Sequence, residues 1–428
     1  MIKLLDFPQI EALMLFLTAY GFIVTEKINK TLVALLGAGL LLAFHVVPAE
    51  EVITHIDVNV IFLLIFMMII VRITEKSGLF EYLAVWAAQK VQAHPVKLMV
   101  ALFLVTGVSS AILDNVTTIL LITPITILIA AQMQTSPVPF LITQVLASNI
   151  AGTATLIGDP PNIMIGSAAN LSFMDFVIHL TPVIILQVLV VSGLFYIFFR
   201  KKIQTSAIAR ARIMEMKKSR MIRDPLLLKK SLAVIGLVVV GFLLHGFLEI
   251  EASVIAMIGA MVLTIWTGME PEALFEKVEW GTIMFFIGLF IMVGGLVEVG
   301  VVRKISELLL SVSQKDLKVL SQMFIWVAGL LSGIIDNIPL VATFIPVIKE
   351  MSLVMGVEQV EPLWWSLALG SCLGGNLTAI GASANVVMIS SAKKSDIKIT
   401  FIDFLKYGIP ITFLTLAMSS IYVHFRYF

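Results

Sequence analysis

Residues 148–162 read SNIAGTATLIGDPPN, a run rich in polar residues, glycine and proline inside an otherwise apolar segment. Glycine restricts the backbone very little, and proline lacks the N–H that a helix interior needs, so both interrupt helices. A second run of this kind, GGNLTAIGASAN, occupies residues 374–385. We therefore predict two broken helices, each with unwound backbone flanked by Asn and Thr side chains.

The surrounding composition indicates that lipid, rather than water, covers the surface of this chain. The 428 residues are 59% hydrophobic and only 13% charged, with a mean hydropathy of +1.03. Soluble domains carry roughly 25% charged residues, so these few charges cannot shield the apolar surface from water. We expect an integral, multi-pass protein in a lipid bilayer.

Several other classes of protein are disfavoured. A net charge of +1 gives no electrostatic basis for nucleic-acid binding. The single cysteine, Cys372, excludes an intrachain disulfide and a cysteine-based metal cluster. Phosphate-binding, zinc-protease and Cys-x-x-Cys motifs are missing from the sequence. We expect neither an enzyme nor a bound cofactor.

Ten apolar runs bounded by charges or turn residues are candidate membrane spans, five in each half of the chain. They are Ala12–Val24, Thr31–Val47, Val58–Thr74, Val138–Ile157 and Phe173–Phe199, then Ser231–Phe247, Ala252–Thr267, Thr282–Val299, Leu363–Ile380 and Ile409–Val423.

Two longer apolar stretches, Lys97–Met133 and Leu317–Met351, are each interrupted near the middle by an Asp-Asn pair. Irregular backbone is tolerated at membrane depth only where protein or a wet cavity satisfies its polar groups. We therefore interpret both stretches as re-entrant hairpins that enter and leave on the same side. The predicted fold is all-α, with five spans and one hairpin in each half and the broken helices at the midplane.

The two halves are predicted to be inverted repeats. Asp114 recurs as Asp336 and Pro124 as Pro346, both 222 residues later, and Asn162 recurs as Asn385 at nearly the same offset. A constant offset of this length marks a duplication. Five crossings is an odd number, so the second half should be upside down, as in many secondary transporters. The expected units are residues 1–200, a linker over 201–230, and residues 231–428.

The linker also sets the predicted orientation. Residues 200–230 carry eleven Lys and Arg side chains, including Arg210, Arg220 and Arg223, and such clusters mark a cytoplasmic segment. Five crossings before it then place the N-terminus outside, with Lys30 in a cytoplasmic turn. We favour the interpretation of the linker as a solvated cytoplasmic connector over its interpretation as a helix that binds lipid head groups.

The polar residues of the hairpin tips and broken helices are the candidate ion- or substrate-binding residues. They are Asp114, Asn115, Thr117, Thr118, Asn149, Gly152, Thr155, Asp159, Asn162, Asp336, Asn337, Asn376, Thr378, Ser383 and Asn385.

Within this set, Asp114, Asn115, Asp336 and Asn337 are the candidate sodium ligands. A carboxylate at the bilayer centre costs roughly 2.5–3.5 kcal/mol, so it is functional by default. Such a carboxylate suits the exchange of a cation for a proton if it is protonated when the cation is absent and ionised when the cation is bound. Helix capping is the alternative for Asp114 and Asp336. A role as a turn residue competes equally with function for Asp159.

These motifs give the chain a family resemblance. The sequences DNVTT at 114–118 and GTATLIGDPPN at 152–162 resemble the ion transporter superfamily. The similarity is to its branch of arsenite permeases, NhaD-type sodium/proton antiporters and melanosomal P proteins. A more distant similarity to sodium-coupled dicarboxylate symporters implies a homodimer and an elevator-type movement. Those symporters have the sequence Ser-Asn-Thr at the hairpin tips, whereas in this chain Asp114 and Asp336 replace the serine.

The resemblance and the residues together leave several functions open. The leading hypothesis is a cation-coupled secondary transporter, most readily a sodium/proton antiporter with Asp114 and Asp336 as the exchanging carboxylates. Sodium or the proton would be the coupling ion, and a small ion or solute the cargo. Arsenite or antimonite efflux and sodium-coupled carboxylate transport are the alternatives, and a channel is a further class.

Overall fold

The computed structural model describes residues 6–25 and 27–428, and every regular element in these ranges is helical. The first half contains α1 (Phe7–Thr25), α2 (Lys30–Ala43), α3 (Val52–His55), α4 (Val58–Glu75), α5 (Leu79–Lys90), α6 (Pro95–Ile112), α7 (Asn115–Gln132), α8 (Val138–Gly152), α9 (Pro160–Ala169), α10 (Phe173–His179) and α11 (Thr181–Phe199). The linker contains α12 (Ala207–Glu215).

The second half contains α13 (Pro225–Leu248), α14 (Ala252–Thr267), α15 (Pro271–Phe275), α16 (Trp280–Glu298), α17 (Val301–Val312), α18 (Leu317–Ser332), α19 (Asn337–Met355), α20 (Glu361–Gly374), α21 (Ser383–Lys394) and α22 (Phe401–Tyr427). Short 3₁₀ turns cover Ala49–Glu51 and Lys218–Arg220.

Within the described ranges, nine helices are long and apolar enough to cross a membrane. The shortest of them has 18 residues, or about 27 Å at about 1.5 Å per residue. That length approaches the roughly 30 Å of a bilayer's hydrocarbon core. The prediction of an all-α, multi-pass membrane protein is confirmed.

Both predicted broken helices are unwound where glycines fold the chain back on itself. Helix α8 ends at Gly152 and α9 starts at Pro160, with seven residues between them, and α20 ends at Gly374 before α21 starts at Ser383. A Cβ atom on Gly152 would lie 2.5 Å from the carbonyl oxygen of Gly158. Only a residue without a side chain permits this approach of the two backbone strands.

The predicted hairpins turn at the Asp-Asn pairs, but their arms do not pair closely. Asp114 and Asp336 are the N-cap residues of α7 and α19, and their side chains accept hydrogen bonds from Thr117 N at 2.8 Å and Ile338 N at 3.3 Å. In the first hairpin, α6 packs along α8, whereas α7 packs against α21. In the second hairpin, α18 packs along α20, whereas α19 packs against α9. The arms are thus splayed, and their re-entrant path stays a prediction.

Several predicted boundaries differ from the structure, among them those of the fifth and the last span. The segment Phe173–Phe199 is two helices, because Pro182 lies in the first turn of α11, where it lacks the N–H that would continue α10. The last span extends over all of α22, well beyond the predicted Ile409–Val423.

The linker contacts the first half while most of its residues stay exposed, so its interpretation as a solvated connector stays a prediction. Arg223 forms a 2.6 Å ion pair with Glu81 of α5. The Gln89 side chain, also on α5, donates to the Met216 carbonyl at 2.6 Å. The backbone N–H of Arg223 donates to the Ser77 carbonyl at 2.9 Å. These contacts fasten the linker to α5.

The spanning helices form two bundles that touch each other sparingly. Bundle one comprises α1, α2, α4, α13, α14 and α16. Bundle two comprises both hairpins, both broken helices, α11 and α22. Helix α2 packs on α16 as α14 packs on α4, which are equivalent pairs at the 222-residue offset. In each pair, a helix of one half packs on a helix of the other half, and this equivalence supports the predicted duplication. The inversion stays a prediction.

Candidate functional site

Four asparagine side chains from both halves meet at the centre of bundle two. The Asn149 amide donates to the side-chain oxygens of Asn376 and Asn385, each at 3.0 Å. The Asn115 amide donates to the Asn149 side-chain oxygen at 3.2 Å. All four side chains are buried. The predicted meeting of a hairpin tip with both broken helices is therefore found in the structure.

Some polar atoms of this cluster have no hydrogen-bond partner within the described protein. They include the side-chain oxygen of Asn115, the side-chain nitrogen of Asn376 and the hydroxyl of Thr118. A buried polar group without a partner costs about 1–3 kcal/mol. The unpaired Asn115 and Thr118 oxygens are acceptors of the type that a sodium ion or an ordered water uses.

Other predicted binding residues are engaged in holding the unwound segments. The Asn162 amide donates to the carbonyls of Thr153 at 3.0 Å and Thr155 at 2.8 Å. The Asn385 amide donates in the same way to Gly375 at 2.8 Å and Thr378 at 2.9 Å. In this conformation both amides shape the loops instead of facing a cavity.

The hydroxyls of Thr155 and Thr378 attach each unwound loop to the hairpin of its own half. Thr155 donates to the Ala111 carbonyl and Thr378 to the Gly333 carbonyl, both at 2.6 Å. Ala111 and Gly333 are separated by 222 residues, so the contact recurs at equivalent positions.

Asp159 is a buried carboxylate that links the first half to the tip of the second. Its side chain is 1% exposed. Although it occupies the N-cap position of α9, it makes no capping hydrogen bond. Instead, the Asn337 amide lies 3.3 Å from both of its oxygens. The position 223 residues later is Ala382, so this acid belongs to the first half alone. Its placement favours a role in the site over one in a surface turn.

Asp336 is paired with a lysine that the sequence reasoning missed. Lys30 Nζ donates to Asp336 Oδ2 at 2.7 Å and to the Ser383 hydroxyl at 2.8 Å. Ser383 in turn donates to the same carboxylate oxygen at 2.6 Å. Lys30 starts α2, and Asn29 caps that helix. The available signal was a basic residue directly before an apolar run, which was assigned to a surface turn.

Asp114 lies on the wall of a cavity of about 290 Å³. Its neighbours on the wall include Lys30, Glu279, Ile338 and Ser383. Among the described residues, no basic group lies within ion-pair distance of Asp114. The cavity therefore presents one carboxylate that has no ion-pair partner, close to Lys30 of the Lys30–Asp336 pair.

A second charged pair borders this cavity. Arg72, on α4, lies 3.3 Å from Glu279 and 3.2 Å from Glu75. The sequence gives no indication of the Arg72–Glu279 pair, whose members are 207 residues apart. An arginine inside an apolar span is itself a signal of function.

A larger cavity of about 460 Å³ lies at the equivalent place in the other half. Its wall includes Ile163, Val60 and Ile250, which are equivalent at the repeat offset to Val386, Thr282 and Ile28 of the 290 Å³ cavity. None of the predicted binding residues lines it. Among these two cavities, only the smaller one reaches Asp114.

Comparisons with known proteins identify relatives over the full length of the chain. It is 41% identical over 426 residues to an uncharacterized transporter of Mycobacterium tuberculosis (strain H37Rv), covering 98% of this chain and 99% of that protein. It is 31% identical over 487 residues to the Homo sapiens P protein, covering 94% of this chain and 58% of that protein.

A solved structure shares the fold. The YdaH transporter of Alcanivorax borkumensis, whose topology is described as unusual, superposes with a TM-score of 0.59 over 98% of both chains at 14% identity. The family described as citrate transporter matches residues 20–370. That match covers most of the chain, and we conclude that this protein belongs to the CitMHS citrate transporter family of membrane transporters, within the ion transporter superfamily.

Proposed function

We propose that this transporter is cation-coupled and exchanges sodium for protons, with Asp114 and Asp336 as the exchanging carboxylates. The observation that carries the proposal is the unpaired Asp114 carboxylate on the wall of the 290 Å³ cavity. A carboxylate in an apolar setting is costly unless a proton or a cation neutralises it. Alternate loading with a proton and with sodium is then the natural cycle of this group.

The Lys30 ammonium group competes with sodium for the Asp336 carboxylate in this cycle. This group neutralises Asp336 in the conformation described. A sodium ion that binds to Asp336 must displace that ammonium group or share the carboxylate with it. Lys30 therefore supplies the countercharge of Asp336 when sodium is absent, and because Lys30 lies in bundle one, this ion pair must break before bundle two moves.

The proposed movement is of the elevator type. The two bundles touch sparingly, so bundle two is able to slide against bundle one while its own contacts persist. The site-bearing cavity opens beside the α1–α2 turn. After the movement, the other cavity would reach the same acids from the opposite side. The homodimer implied by the resemblance remains part of this proposal.

A sodium-coupled carboxylate transporter is the second candidate. Lys30 offers a cationic contact at the cavity wall, and Val116 and Ile338 place the first turns of α7 and α19 there. Helix N-termini attract anions. The family's description as citrate transporter agrees with such a cargo. Arsenite efflux has less support, because Cys372 is buried and its thiol donates to Asn162.

The test uses purified protein in liposomes that contain a pH-sensitive dye. We expect an inward sodium gradient to drive proton efflux in the wild type, and Asp114→Asn to reduce that flux at least tenfold. Asparagine caps helices as well as aspartate does, so this substitution removes the charge and keeps the cap.

Asp316→Asn is the matched control, because Asp316 also caps a helix, α18, but is exposed at the surface. Full sodium-driven flux in Asp114→Asn would refute the assigned role. Citrate counterflow without sodium-driven proton movement would favour the second candidate.

A further inference from the structure

At the other end of α16 from the transport cavity, three side chains with metal-binding atoms converge. Glu279 adjoins the start of α16 and lines the cavity, whereas Glu298 is the last residue of the helix. These ends are about 27 Å apart at about 1.5 Å per residue. Glu298 meets Glu51 and His55 from the segment between α2 and α4, and the ligand atoms of the three lie within 4.8 Å of one another.

The His55 imidazole is held in place but lacks a hydrogen bond at the atom that faces the acids. Its Nε2 lies 3.4 Å from Glu298 Oε1, yet this buried nitrogen has no hydrogen-bond partner in the described protein. The ring lies directly on Gly294, where a Cβ atom would come within 2.5 Å of His55 Cγ. Gly294 thus makes room for the ring and fixes its position against α16.

The separation of these atoms fits a shared metal ion better than a direct hydrogen bond. Zinc binds imidazole nitrogen at about 2.0–2.1 Å and carboxylate oxygen at about 2.0–2.2 Å, usually in tetrahedral geometry. Two such ligands are then about 3.4 Å apart, which matches the distance from His55 Nε2 to Glu298 Oε1.

The equivalent positions in the other half do not preserve these ligands. The residues at the 222-residue offset from Glu298, His55 and Glu51 are Lys76, Lys277 and Ala273. Two lysines would repel a cation, so the constellation is not a structural requirement of the repeat.

We propose that Glu51, His55 and Glu298 bind a divalent transition-metal ion of the zinc class, with water completing the coordination. Imidazole nitrogen selects zinc and its neighbours over magnesium and calcium, which prefer all-oxygen sites. The ion would fasten the segment between α2 and α4 to the end of α16. This site is separate from the proposed transport site and does not depend on it.

The experiment titrates purified full-length protein, with any affinity tag removed, with Co²⁺ and follows the visible absorption of the bound ion. We expect one ion per chain, displaced by Zn²⁺ but not by equimolar Mg²⁺. Loss of an outer-shell partner already weakens metal binding by about 10–100-fold. His55→Gln and Glu298→Gln should therefore each weaken it at least tenfold.

Glu50→Gln is the matched control, because Glu50 is an exposed neighbour outside the three-residue site. Thermal unfolding gives a second measurement, since a ligand that binds only the folded state raises the unfolding temperature. Zn²⁺ should raise it in the wild type and in Glu50→Gln, but not in Glu298→Gln. The proposal is overturned if the wild type binds no ion saturably, or if Glu298→Gln binds as tightly as Glu50→Gln.

Discussion

Lys30 Nζ lies 2.7 Å from Asp336 Oδ2, which joins the first residue of α2 in bundle one to the N-cap of α19 in bundle two. This ion pair connects the two bundles directly at the cavity. Lys30 also supplies the countercharge for one of the two acids on which the proposed transport cycle depends.

Replacing Lys30 tests the proposed competition for Asp336. In Lys30→Gln the competing ammonium group is gone, so we expect sodium to half-saturate the flux at a concentration at least threefold lower. The measurement is proton flux in liposomes over a range of sodium concentrations. Lys27→Gln is the control, since Lys27 is an exposed residue of the same turn. An unchanged or weaker sodium dependence in Lys30→Gln would contradict the competition.

The stability of the folded protein should also depend on the Lys30–Asp336 ion pair. Exposed pairs contribute about 0–1 kcal/mol and breaking a buried pair costs about 3–5 kcal/mol. Lys30 is 32% exposed and Asp336 is 11% exposed, so we expect Lys30→Gln to cost about 1–3 kcal/mol. Thermal unfolding in detergent checks this value. Adding Asp336→Asn should recover part of the loss, because no unpaired charge remains. An additive loss would show that the residues are not coupled.

Asn337 and Asn115 offer a matched comparison, because they are equivalent residues with different partners. Asn337 donates to the Asp159 carboxylate, whereas Asn115 donates to the neutral Asn149 side chain. Removing the Asn337 amide deprives the buried Asp159 carboxyl of this donor, whereas removing Asn115 also removes a side-chain oxygen that has no partner within the described protein. A buried polar group without a partner costs about 1–3 kcal/mol, so the loss of Asn115 is partly offset. We expect Asn337→Ala to lower the unfolding temperature more than Asn115→Ala does. The reverse order would contradict this prediction.

The crossing of the backbone at Gly152 should not tolerate a methyl group. Gly152→Ala places a Cβ atom 2.5 Å from the Gly158 carbonyl oxygen, and such overpacking costs about 1–3 kcal/mol. Gly39→Ala in α2 is the control, because no atom lies within 4 Å of its added methyl group. Unfolding temperatures of both variants check this prediction. Equal stability of the two variants would show that the unwound loop rearranges freely.

The two cavities should open to opposite sides of the membrane if the halves are inverted. Ile28 and Ile250 are equivalent residues that line the smaller and the larger cavity respectively, and both are exposed. Single cysteines at these positions, in a Cys372→Ser background, should react with an impermeant maleimide from opposite sides of oriented membranes. Labelling of both from the same side would contradict the inverted repeat.

The unwound segments and the capped hairpin tips could be predicted from the sequence because their causes are local. Glycines 152 and 158 permit the chain to fold back, and Asp114 caps the helix that follows it directly. Hydropathy likewise predicted the apolar helices, since lipid excludes charges from such runs, but four of the ten predicted spans, α2, α8, α14 and α20, have only 14–16 residues. Lengths and breaks within single helices were less accurate, as at Leu180, where Pro182 divides one predicted span into α10 and α11.

The sequence by itself thus determined the class of protein, the positions of its breaks and the acids inside its apolar segments. Only the tertiary structure decided the partners of those acids. Lys30 and Asp336 are 306 residues apart, and Asp159 and Asn337 are 178 residues apart. Hydropathy and backbone preference depend on neighbours along the chain, whereas the charge balance of a site depends on which distant helices pack together.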